Sequence, residues 1–208
     1  MVFHFPQYTK ISHTFCLDHN IKNNYYLCEA IPNNMKKVIS LLLLAVVFTT
    51  AYAQKVTGDF RPLKDQVRAR LIVDFSDAII MGMTLEEFAD YEEDWEHDKI
   101  EVFSLVYNYA NEELERTLVV GNYNNDTEYV LHLMVRTIDV RGDYDSDLYL
   151  IHNFADGRKE TIGKVEGLFA RGGRFGTKLN LMKDGAEHTG TALGKLLIKE
   201  MNRRPSRK

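Results

Sequence analysis

The sequence predicts an α+β fold, a two-layer sandwich whose mixed sheet of about four strands is packed by two main helices in the order β-α-β-β-β-α. Three observations predict it. Apolar residues alternate in several short segments, the two-residue period of a half-buried strand. Two longer segments repeat apolar residues every three to four positions, the period of an amphipathic helix. The helices stand apart from a run of three strands, which separates α+β from alternating βαβ units.

The elements follow in order. Arg68 to Phe75 alternates, with Ala69, Leu71, Val73 and Phe75 on one side, and reads as the first strand. Thr84 and Glu87 form a capping-box start to a short helical turn. The long helix runs from Glu92 to Glu115, its apolar stripe Ile100, Phe103, Tyr107, Ala110 and Leu114. After the short apolar stretch Leu118-Val119-Val120 and the turn Asn122 to Asp126, Glu128 to Val140 puts Tyr129, Leu131, Leu133 and Val135 on one face and His132 and Arg136 on the other. Asp147 to Phe154 and Thr161 to Phe169 make a hairpin around Ala155-Asp156-Gly157. In the last strand Gly163, Val165, Gly167 and Phe169 share a face, and the two glycines suit the close approach of a helix. The final helix starts near Asp184, where Asp184-Gly185-Ala186-Glu187 reads as a capping box. Leu193, Leu196, Leu197 and Met201 are its apolar stripe, and Gly190 and Gly194 lie one turn apart on a narrow side.

Ahead of this body lies an export signal. Lys36 and Lys37 form a basic start, Val38 to Phe48 an apolar stretch, and Ala51-Tyr52-Ala53 a small-x-small cleavage pattern, with the cut between Ala53 and Gln54. The stretch is shorter than the roughly 20 residues that span a bilayer. Residues 1–34, which hold both cysteines, Cys16 and Cys28, read as a disordered extension from a start site placed too early. A cytoplasmic extension on an uncleaved anchor is the alternative. The expected organisation is thus signal peptide 35–53, lead-in 54–67, one domain 68–202 and a basic tail 203–208. From the 208 residues, about 155 then remain, enough for a sizeable core. This mature part has no cysteine, which excludes disulfides, thiol catalysis and zinc–thiolate sites there.

The formal charge of -4 argues against nucleic acid as a partner. The acidic stretch Glu86 to Glu101 reads as a solvated helix start, where the dipole favours carboxylates. Asp143-Tyr144-Asp145-Ser146-Asp147 resembles half of a calcium loop, but Leu148 and Phe154 occupy the positions that need Gly and Glu, so an acidic hairpin turn is expected. Arg141-Gly142-Asp143 is an adhesion tripeptide too short to be informative. His97, His132, His152 and His188 fall on different elements, and no Gly-x-Ser-x-Gly elbow occurs, so no catalytic residues, metal ligands or cofactors are assigned. Gly172-Gly173-Arg174-Phe175-Gly176-Thr177-Lys178 lacks the Walker spacing. It reads first as a strand-to-helix connection, yet Arg171, Gly172, Gly173, Arg174, Gly176 and Lys178 could together hold an anion or a partner.

Ile72-Val73-Asp74-Phe75-Ser76-Asp77, Glu128 to Asp139, Asp156-Gly157, Gly163 to Gly167 and Gly190 to Lys195 together carry a resemblance. The chain resembles uncharacterised exported proteins of Bacteroidota. Its element order is similar to the small α/β domains of TolB N-terminal regions, curli-channel lipoproteins and penicillin-binding-protein activators. The resemblance implies an envelope accessory domain and carries over no catalytic residue. The chain departs from those lipoproteins in lacking a cysteine at the cleavage site, which puts outer-membrane tethering in doubt. The expected function is an exported, periplasmic, non-catalytic binding or assembly module with an envelope protein as partner. The alternative is a small hydrolase or an anion- or small-ligand-binding protein using the glycine-rich loop 171–178.

Overall fold

The computed structural model describes residues 54–123 and 127–204. The leader 35–53, the segment 1–34 and the end of the basic tail lie outside the described residues.

Alternation builds the sheet where it was expected. Strand β2 (Arg68–Asp74) buries Ala69, Leu71 and Val73, and β6 (Tyr129–Ile138) buries Leu131, Leu133 and Val135. β7 (Tyr144–Asn153) and β8 (Lys159–Ala170) follow as an antiparallel hairpin. The expectation of about four strands is corrected: among the described residues the sheet has eight, and three α-helices accompany it, although the fold is still α+β. The additional strands are β1 (Lys55–Gly58), β3 (Ile79–Ile80), β4 (Met83–Thr84) and β5 (Val119–Gly121). Segments of two to four residues are too short to display a period. Across the sheet the order is β1-β8-β7-β6-β2-β5, with β3 continuing the β2 side of β6 and β4 pairing β3. β2 runs parallel to β5 and β6, and the remaining long pairs are antiparallel. A 3₁₀ turn (Arg61–Asp65) joins β1 to β2 and buries Leu63. Lys55–Gly58 of the expected lead-in thereby joins the sheet.

Helix α1 (Leu85–Tyr91) has the capping box the sequence signalled: Glu87 N–H donates to Thr84 Oγ1, and the Glu87 carboxylate accepts from Thr84 N–H at 2.8 Å. Helix α2 (Trp95–Leu114) buries Val102, Val106, Ala110 and Leu114. Its stripe is rotated from the expected one: Phe103 and Tyr107 are only partly buried, and Ile100 is 62% exposed. Helix α3 (Lys178–Met201) starts six residues before the expected Asp184, because Thr177 caps it by accepting from Asn180 N–H. The two long helices meet at small residues. A Cβ on Gly190 would lie 2.5 Å from the Val106 carbonyl, and one on Gly194 2.8 Å from that of Ala110. Leu193 and Leu197 complete the shared core with Leu71, Leu131, Leu148 and Leu150, each buried side chain contributing about 1.5–3 kcal/mol.

The expected face of β8 is also corrected. Bulges shift its register against β7, so Leu168 and Ala170 are buried and Phe169 is not. Gly163 meets the Phe60 ring rather than a helix, and Gly167 takes a positive φ of 71° with nothing beside it.

Candidate functional site

The turn between β6 and β7 is built around Asp139. Its carboxylate accepts from the N–H groups of Arg141 at 2.8 Å and Asp143 at 2.9 Å, and Gly142 takes φ 76°. The acidic hairpin turn therefore ends at Asp143, and Tyr144 to Asp147 belong to β7 rather than to a calcium-type loop. Asp143 then spends both carboxylate oxygens: Oδ1 accepts Gly172 N–H at 2.7 Å and Oδ2 accepts Arg141 Nη2 at 3.0 Å. The adhesion-like tripeptide is thus folded in on itself.

The glycine-rich loop crosses this turn at backbone distance. A Cβ on Gly172 would lie 2.0 Å from the Arg141 carbonyl, one on Gly142 2.1 Å from that of Leu181, and one on Gly185 2.0 Å from that of Gly142. Gly173 lies under the Asp184 carboxylate. His188 Nδ1 donates to the Arg171 carbonyl at 2.7 Å, and Tyr144, fully buried, donates its hydroxyl to the Met182 carbonyl at 3.1 Å. Burial pushes the Tyr144 phenol well above its usual pKa. The loop is strapped at Arg171 by the helix, at Gly172 by the turn, and at Thr177 by its cap.

Beside the strap lies a cleft of about 850 Å³, lined by Asp139, Arg141, Asp145, Arg171, Arg174 and His188 among others. Gly172 and Gly173 line it too, so four of the six expected loop residues come together there. Gly176 and Lys178 do not. Gly176, at φ 141°, turns the chain into the Thr177 cap, and Lys178 Nζ sits 4.1 Å from the centre of the Tyr91 ring. Gln54, the expected first residue after cleavage, lies in another recess with Lys195 and Lys199. Around the cleft the cations differ in kind: Arg141, in its lining, is paired with Asp139 at 3.4 Å and Asp143 at 3.0 Å. Arg136 is paired with Asp145 at 2.7 Å and Asp147 at 3.6 Å, and the hydrogen bond to Asp145 raises its pKa. Arg171 and Arg174 are exposed and have no ion-pair partner among the described residues. Between them and Lys178, Phe175 is 91% exposed.

The other motifs are placed apart. Glu86 and Glu87 start α1 and Glu96 and Asp98 start α2, while Lys183 ties α3 to Asp98 and Glu101. Among the described residues no group of three or more His, Cys, Asp or Glu is placed to hold a metal. No helix of the described residues is long and apolar enough to cross a membrane. Two features escaped sequence reasoning because they join residues distant in the chain. One is the pair His132 Nε2 to Asp74 Oδ2, 2.8 Å apart across β2 and β6; the other is a second cleft at the far end of the sheet.

No family model matches the chain, and no curated protein matches it. Among solved structures, it is similar to a PelC dodecamer from Paraburkholderia phytofirmans, at 14% identity and a TM-score of 0.37 over 68% of this chain and 98% of that one. A point variant of the same dodecamer gives 14% identity and a TM-score of 0.32 over 66% of this chain and 96% of that one. Overlap this loose assigns no function.

Proposed function

We propose that the chain is an exported, non-catalytic binding domain, released from its leader after Ala53, that takes an acidic group of an envelope protein in the cleft beside the 171–178 loop. The observation that carries this reading is the pair of unpartnered cations, Arg171 and Arg174, exposed on a loop whose backbone is already fixed. Gly172 N–H is committed to Asp143, so the loop works through its side chains and not as a backbone anion cradle. Unpaired surface cations steer acidic partners and set specificity. Phe175, between them and Lys178, adds an apolar anchor of the kind interfaces favour. His188 has Nδ1 engaged by a carbonyl, which suits support of the loop better than proton transfer.

Two measurements test the proposal. A photo-crosslinking amino acid at position 175, in intact cells, should yield one dominant adduct, and Arg171→Glu with Arg174→Glu should reduce its yield by about tenfold or more. Absence of an adduct, or one insensitive to the charge reversal, overturns the site. Export is tested separately: N-terminal sequencing of extracytoplasmic material should begin at Gln54, and a cytosolic chain that retains Cys16 and Cys28 overturns that part.

A further inference from the structure

Four buried side-chain polar atoms among the described residues lack a hydrogen-bond partner, and three of them belong to residues lining one cleft. They are Arg70 Nε, Thr127 Oγ1 and Asn153 Oδ1; the fourth, Ser146 Oγ, lies in the core. The cleft, about 740 Å³, opens where β6 begins and β7 ends, beside the 154–158 hairpin. Its size is that of small-ligand sites, which run from about 300 to 1,000 Å³.

Each orphan atom specifies a chemistry. Arg70 is a permanent cation with no ion-pair partner among the described residues, and its planar fork matches a carboxylate. Asn153 donates its amide N–H to the Thr127 carbonyl at 2.9 Å, which fixes the amide's orientation and leaves Oδ1 needing an N–H or O–H donor. Thr127 Oγ1 can donate or accept. The wall is stiff: Phe154 lies between the His152 ring, 4.1 Å away, and the Arg158 guanidinium, 4.5 Å away, and His152 is itself stacked on Tyr129 at 4.8 Å. Among the described lining residues the one acid, Glu128, faces His152 at 3.3 Å; Arg70 and Lys159 supply positive charge, while Arg158 is paired with Asp156 at 2.8 Å.

We infer that this cleft binds a small carboxylate with a hydrogen-bond donor on the adjacent carbon, the 2-hydroxy or 2-amino acid class. Arg70 takes the carboxylate, Asn153 Oδ1 accepts from the hydroxyl or ammonium, and Thr127 bridges the two. Because the three atoms are buried, binding includes a small rotation of Arg70 and Thr127 toward the cleft. The site is independent of the loop cleft, which uses none of these residues.

The test is a ¹H–¹⁵N NMR titration of the full chain with glycolate, glycine and acetate. Glycolate or glycine should shift the Arg70 Nε–H and Asn153 side-chain signals saturably, and acetate, which lacks the second group, should bind at least about tenfold more weakly. Arg70→Gln and, separately, Asn153→Asp should each abolish the shifts, with circular dichroism confirming that the fold persists. If Arg70→Gln unfolds the chain, Thr127→Val supplies the second measurement, with an expected loss of about tenfold. Titrations without saturable shifts, acetate equal to glycolate, or undiminished binding in the folded variants would overturn the inference.

Discussion

Gly142, Gly172, Gly173 and Gly185 form a backbone interlock between turn, loop and last helix, and only their lack of side chains permits it. A helix-interior Gly→Ala change ordinarily gains about 0.8–1 kcal/mol. At Gly185 the added methyl would lie 2.0 Å from the Gly142 carbonyl and 2.7 Å from the Tyr144 ring, so α3 must move off the turn. Overpacking of this kind costs about 1–3 kcal/mol, which outweighs the propensity gain. Gly185→Ala should therefore destabilise the protein in urea unfolding, and a stabilised variant would show that α3 is not seated against the turn. This interlock bears on what could be read of the site. The basic side chains and glycines of 171–178 are visible in the sequence, but their partner Asp143 is 29 residues from Gly172, and nothing local announces the pairing. Gly190 and Gly194 were legible as a narrow helix side because one turn separates them and both are used by the same neighbour, α2. Gly185 was not, because in Asp184-Gly185-Ala186-Glu187 it imitates a helix start.

At the scale of the element, the legible parts of the fold are those long enough to repeat. β2, β6 and both long helices span seven residues or more and announced themselves by period, and the Ala155-Asp156-Gly157 turn announced the β7–β8 hairpin. β1, β3 and β5 are held by pairing with longer strands, and β4 by pairing with β3, information the local sequence does not contain. Helix starts show the same limit. Thr84 was legible since Glu87 answers it three residues on, whereas Thr177 has Asn180 at that position and stands inside a glycine loop. Thr177→Ala should cost about 1 kcal/mol, the usual loss of a cap. Hydrogen exchange offers a second check: the amides of Met182, Lys183 and Asp184 should be protected, since a helix from Lys178 gives them carbonyl partners. Rapid exchange there would place the helix start back at Asp184.

For the molecule as a whole, the surface is laced with carboxylates that the fold holds below their usual pKa. Asp59 is held below its usual pKa by the Arg61 hydrogen bond, Glu87 by Thr84, Asp156 by Arg158 and Glu166 by Lys164. Asp74 reaches the same outcome against opposition. Burial, the largest single influence on it, pushes its pKa up, but hydrogen bonds from Ser76 and from His132 together leave it below the usual carboxylate value. A folded pKa below the unfolded one means that the unfolded chain binds more protons as pH falls. The stability each group contributes is thus complete above the unfolded value and is lost as pH falls through the folded one. The exposed pairs are screened by water and salt and contribute little individually. Asp74 differs in being half-buried, in accepting the local Ser76 N–H at 2.9 Å, and in joining β2 to β6 through His132 Nε2 at 2.8 Å. Urea unfolding followed from neutral pH into the acid range should therefore show stability falling with a positive slope against pH. In high salt the slope should flatten only in part, since the Asp74 hydrogen bonds are screened less than the exposed pairs. Asp74→Asn should remove much of the salt-resistant remainder, and an unchanged slope in that variant would mean that the β2–β6 junction does not depend on the charge of Asp74.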